Sequence, residues 1–140
     1  MTLVSVLGSC LLWFLLLHWS GPLPDGLGPS QGHLQSCLQP QHCARARWTS
    51  SQPDQLFSAV AEAIDRLPRS ERLQSSETYL HVAVSSLVFG FTDDLEVLLD
   101  QKGGAVELRS ESRLGESDFG VNRNRLRQLR SDVDRRLDAG

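Results

Sequence analysis

The chain has 140 residues, of which 22% are charged and 6% aromatic, with a formal net charge of -3. That length gives room for one domain. A net negative total removes bulk charge as a basis for nucleic-acid binding.

Residues 3–19, LVSVLGSCLLWFLLLHW, carry no charged side chain. Such a run is a secretory leader or an uncleaved membrane anchor, so residues 1–20 are expected to export or tether the remainder of the chain. No Lys or Arg precedes Arg45, so no charge bias sets an orientation across a bilayer. Cys10 lies near the start of the apolar run. A lipidated cysteine would come after such a run, and lipidation is not expected.

Of three cysteines, Cys37 and Cys43 remain beyond the leader. An even pair after an export segment suggests a disulfide formed in an oxidising compartment. The rival is a metal site from Cys37, His42 and Cys43, which offers three ligands at no standard zinc spacing. Residues 21–47 are expected to be a Gly/Pro-rich linker carrying the Cys37–Cys43 loop. The folded domain is placed at 48–138.

Ser51 and Asp54 fit a capping box, and Pro53 suits a first helical turn. Leu56, Phe57, Val60, Ala61, Ile64 and Leu67 then form an apolar stripe at helical spacing, stopped by Pro68. A short strand is expected near Leu73. In TYLHVAVSSLVFGF, Leu80, Val82 and Val84 alternate with Tyr79, His81 and Ala83. Beyond Ser85-Ser86 the apolar phase moves to Leu87, Phe89 and Phe91, as a bulge or bend would make it. Leu95, Val97 and Leu99 alternate next, and Gln101-Lys102-Gly103-Gly104 is a hairpin turn. A last helix over 121–137 carries Leu126, Leu129, Val133 and Leu137. The predicted fold is a small α+β domain, an antiparallel meander of three to four strands packed by an N-terminal and a C-terminal helix.

Centring the hairpin on Lys102-Gly103 sets Leu99 opposite Val106, Val97 opposite Leu108, Leu95 opposite Ser110 and Asp93 opposite Ser112. On the other face Glu96 meets Arg109, with Asp94 diagonal to Arg109 and Arg113, so that Glu107, Arg109, Glu111 and Arg113 form a ladder meeting acids. That face is expected to be solvent-exposed, where an ion pair contributes about 0 to 1 kcal/mol. Glu116, Ser117 or Asp118 can cap the last helix. Arg123 and Arg125 oppose its dipole in the first turns and require compensation from Asp93, Asp94, Glu116 or Asp118. Together these residues predict a polar knot at one end of the sheet: Asp93, Asp94, Arg109, Ser110, Ser112, Arg113, Asp118, Asn122 and Arg125.

Asp118-Phe119-Gly120 spells a kinase motif, but no glycine-rich phosphate loop and no HRD-type catalytic loop accompanies it. No GxSxG, HExxH or CxxC occurs, and no cofactor is expected. The arginines of the C-terminal third are interleaved with acids, which argues against a nucleic-acid groove. Asp93 and Asp94 could serve acid–base work in a hydrolase. Carboxylates beside arginines are more often salt-bridged, ionised and poor proton shuttles. The knot is therefore a structural lock, or it presents an arginine to an anionic small ligand or a protein partner. His81, alone on a strand, is expected to be a half-buried structural residue.

F-x-D-D at Phe91 to Asp94, R-S-x-S-R-x-G at Arg109 to Gly115, and S-D-x-G-V-N-R at Ser117 to Arg123 resemble the uncharacterised DUF1499 family. The Cys-x5-Cys segment is similar to that family's N-terminal part, although Gln41-His42 replaces its usual Pro-Asn. The resemblance implies no activity, since the family's function is unknown. It implies the periplasm, the cell envelope or the thylakoid lumen as the compartment. The expected function is an exported or membrane-tethered, non-catalytic accessory or binding module, with a hydrolase using Asp93 or Asp94 as the alternative.

Overall fold

The computed structural model describes residues 21–86 and 90–140. The leader with its Cys10, and the apolar Leu87 and Phe89, lie outside the described residues. Among the described residues seven elements follow in chain order: β1 (Cys43–Thr49), α1 (Pro53–Ile64), β2 (Ser70–Ser75), β3 (Tyr79–Ser85), β4 (Thr92–Asp100), β5 (Ala105–Ser112) and α2 (Val121–Ala139). The five strands make one antiparallel sheet in the order β1-β5-β4-β3-β2. The fold is thus α+β, with β2 to β5 as a four-stranded meander and β1 added beside β5.

The hairpin register is the expected one: Leu99 pairs with Val106, Val97 with Leu108, Leu95 with Ser110, Glu96 with Arg109 and Asp93 with Ser112. Gly104 takes a positive φ of 61° at its turn, a conformation that glycine adopts without strain. The strand near Leu73 is β2, an exposed edge with a register shift between Arg72 and Gln74.

Alternation sorts side chains onto two faces. The inner face carries Leu80, Val82, Val84, Leu95, Val97, Leu99, Val106 and Leu108. Against it pack Leu56, Phe57, Val60 and Ile64 of α1 and Leu126, Leu129 and Val133 of α2. Each such side chain, fully buried, contributes about 1.5 to 3 kcal/mol.

Three expectations change. The capping box at Ser51 and Asp54 does not form: Gln52 is the N-cap without a side-chain bond, and Asp54 instead accepts from Gln101. Helix α1 ends at Ile64, short of Pro68, although Leu67 still packs on the core. Residues 43–47, expected in the linker, form most of β1. Ala44, Ala46 and Trp48 alternate there with Arg45 and Arg47, which is the strand period. Among the described residues no helix is long and apolar enough to cross a membrane.

Candidate functional site

The nine residues expected to form one polar knot are brought to the same end of the sheet, but the pleat divides them. Neighbouring residues on a strand point to opposite faces. Asp93, Ser110, Ser112, Asp118, Asn122 and Arg125 meet on the inner face. Asp94, Arg109 and Arg113 meet on the outer one.

The inner cluster turns on Asn122, which is fully buried. Its Oδ1 accepts from Ser110 Oγ at 2.6 Å and from Arg125 Nη1 at 2.8 Å. Its Nδ2 donates to Ser112 Oγ at 2.9 Å, Asp118 Oδ2 at 2.7 Å and the His42 carbonyl at 3.1 Å. One side chain thereby joins α2 to β5 and to the chain entering β1. Arg125 continues the cluster, donating to Ser110 Oγ at 2.9 Å and to Asp93 Oδ2 at 2.6 Å. Gly120 is the N-cap of α2, without a side-chain bond of its own, and Asp118, two residues before it, accepts from the Gly120 and Asn122 amides at 2.8 and 3.2 Å. Burial pushes the Asp118 carboxyl up, but the hydrogen bond from Asn122 and the backbone amides outweigh it and hold it below the usual carboxylate range. Asp93, Ser112 and Asp118 also border a cavity of about 340 Å³ shared with Phe119 and Val121. Phe119, at a positive φ of 52°, is 94% exposed.

The outer cluster corrects the expectation of a solvated ladder. Asp94, Glu96, Glu107 and Arg109 are buried, with Asp94 and Glu96 at 0% exposure. Arg113 clasps Asp94 with two bonds of 2.8 Å. His81 bonds the same carboxylate through Nε2 at 2.7 Å. Glu96 receives Tyr79 Oη at 2.7 Å and Arg109 Nη1 at 3.2 Å, and Arg109 also meets Glu111. Of the fully buried side-chain nitrogens and oxygens in this cluster, only the Arg109 Nε is left without a partner, among the described residues. Burial raises the Asp94 carboxyl, yet hydrogen bonds from Arg113 and His81 overcome this and keep it below the ordinary range. Burial, then the bond to Glu96, pushes the Tyr79 phenol up.

The Gly/Pro-rich segment before Cys37 covers this face. The Gly28 amide donates to Glu96 Oε1 at 2.7 Å, and the Leu34 amide to Glu107 Oε2 at 2.9 Å. His33 Nδ1 bonds Glu107 Oε1 at 2.7 Å, and Leu34 packs on Tyr79 and Leu98. Arg45 and Arg47 bond Glu107 from β1 at 3.3 and 2.7 Å. Burial works against the Glu107 charge, but His33 and the Leu34 amide overcome it, and its carboxyl titrates below the usual range. A flexible linker would leave these carboxylates wet; the segment is instead a strap seated on them.

His33, Asp100 and Glu107 offer oxygen and nitrogen atoms within 4.8 Å of one another. Arg47 already occupies the space between the two acids, 2.8 Å from Asp100 and 2.7 Å from Glu107, so this group does not suit a cation. Cys37 and Cys43 are joined as a disulfide, which removes them from any metal site.

Sequence reasoning placed Asp93 with Arg125 and Asp94 near Arg113. It missed Tyr79, His33 and the strap, it placed Glu107 on this face but in solvent, and it took His81 as half-buried where it is buried against Asp94. The available signal was the run of ionisable residues on the strand face opposite the apolar one. Such a pattern ordinarily means solvent.

No curated protein matches the chain. Residues 28–133 match the family described as protein of unknown function (DUF1499), and the chain belongs to that family.

Proposed function

We propose that the chain is an exported, non-catalytic accessory module, in which both polar clusters lock the fold instead of reacting. One observation carries this reading: every arginine of the clusters is ion-paired in or at the edge of the interior, Arg125 with Asp93, Arg113 with Asp94 and Arg109 with Glu96. A general acid needs a carboxyl poised near the working pH and reachable by substrate. Asp94 is held ionised and has no exposed surface. Asp93 is 3% exposed and committed to Arg125. Export is supported by the uncharged run at 3–19 and by the disulfide, which is compatible with an oxidising compartment.

Thermal melts of Asp93→Asn and Asp94→Asn test the reading. Both variants should lose most of their stability, since breaking a buried pair costs about 3 to 5 kcal/mol. If either variant melts like the parent and abolishes a hydrolysis measured with the parent, the hydrolase alternative replaces this one. Alkylation of unreduced protein from intact cells, with mass spectrometry of the product, tests export. Free thiols at Cys37 and Cys43 would overturn it.

A further inference from the structure

Four residues of α2 repeat at the i, i+3, i+4, i+7 spacing that defines one helix face: Arg123, Leu126, Arg127 and Arg130. That face looks across a groove to β1, the edge strand, whose small Ala44 and Ala46 leave space that Trp48 bounds. The cavity measures about 530 Å³, within the range of small-molecule sites. Arg45 lines it too, and no Asp or Glu does.

The charges are unevenly satisfied. Arg130 bonds Asp134 and lies 5.3 Å over the Trp48 ring. Arg45 shares Glu107, at 3.3 Å, with the closer Arg47. Arg123 and Arg127 are exposed and have no carboxylate partner among the described residues. Arg123 also stands in the first turn of α2, where a cation opposes the helix dipole, and it repels Arg127 one turn on. Arg125 suffers the same dipole, but Asp93 compensates it. Within the described fold nothing does so for Arg123.

We propose that this groove binds an anionic amphiphile, a single apolar chain ending in a carboxylate or phosphate. Arg123 and Arg127 take the head through charge-assisted hydrogen bonds. The tail lies between Leu126, Trp48 and the two alanines. A bare inorganic anion would leave those walls unused, and a neutral chain would leave the arginines unrelieved. The inference goes beyond the accessory reading and does not depend on export.

The test uses the full chain with a photoreactive dodecanoate, irradiated and mapped by peptide mass spectrometry. Label should fall on residues 43–48 and 123–130. Arg123→Gln with Arg127→Gln should weaken saturation about tenfold or more while the melting temperature holds, because both side chains are on the surface. Dodecanoate should compete far better than dodecanol, acetate or phosphate. Label confined to residues 3–19 would overturn the proposal, as would dodecanol or phosphate competing equally. Tighter displacement by a polyglutamate peptide would also overturn it and assign the groove to an acidic protein partner.

Discussion

The two faces of the sheet are closed in opposite ways. Behind the inner face, two amphipathic helices lay aliphatic side chains on Leu95, Val97, Val106 and Leu108. Over the outer face, a strap with one buried leucine sits on Glu96 and Glu107, beside the buried Asp94 and Arg109. The inner contact is non-directional and tolerates any well-packed apolar neighbour. The outer contact works only if each buried charge finds its partner, because an unpaired one is expensive. The difference teaches that the apolar face explains why the chain collapses. The charged face explains why this particular Gly/Pro-rich segment lies where it does.

The largest test of the contrast is Asp94→Asn. It leaves Arg113 and His81 facing a neutral group in the buried outer face. The expected loss is about 3 to 5 kcal/mol by denaturant titration. That is a large share of the about 5 to 15 kcal/mol that holds a small domain. Arg109→Ala should fall in the same range, since it strands Glu96; a loss under about 1 kcal/mol would return both to the solvated ladder.

Leu34→Ala comes next, at about 2 to 4 kcal/mol, by removing the strap's one buried apolar anchor. The loss should appear with faster amide exchange at Gly28 and Leu34. Unchanged exchange at those amides would mean that the carboxylates alone hold the strap. Removing the disulfide with Cys37→Ser and Cys43→Ser should cost at most about 2 to 3 kcal/mol, because the closed loop is short.

Acid should loosen the outer face selectively. Glu107 and Asp94 have folded-state pKa values below their unfolded ones, so the unfolded chain takes up protons first as pH falls. Their contribution is complete above about pH 5 and declines through pH 4 and below, as the folded carboxyls protonate. Exchange at Leu34 should accelerate in that window before exchange in the aliphatic core; simultaneous opening would mean the two faces are one cooperative unit. The smallest effect is expected for Arg72→Ala. Its pair with Asp65 lies in solvent and contributes about 0 to 1 kcal/mol, which a urea titration resolves from the Arg109 result.

The candidate site was partly legible from residues alone. The alternation through Leu95, Val97 and Leu99, with a Gly-Gly turn, brought Asp93 opposite Ser112 and Glu96 opposite Arg109. The cations near the start of α2 demanded acids, and Asp93 answers Arg125. Alternation also implied the division of the knot, because Asp93 and Asp94 are adjacent and must point apart. What it did not tell was that both halves are buried.

Local order and pairing come from short-range rules: period two for the strands, period 3.6 for the helices, and a turn that sets register. These the sequence by itself determined, together with the α+β class and the apolar core. Burial of the charged face was decided only by the tertiary structure. It depends on residues 28–34 meeting Glu96 and Glu107 far along the chain, at separations of 68 and 73 in the two strap bonds. No local pattern encodes such a contact, because glycines and prolines set backbone freedom and not destination. The carboxylates supply the destination, and they can do so only after the sheet has placed them side by side.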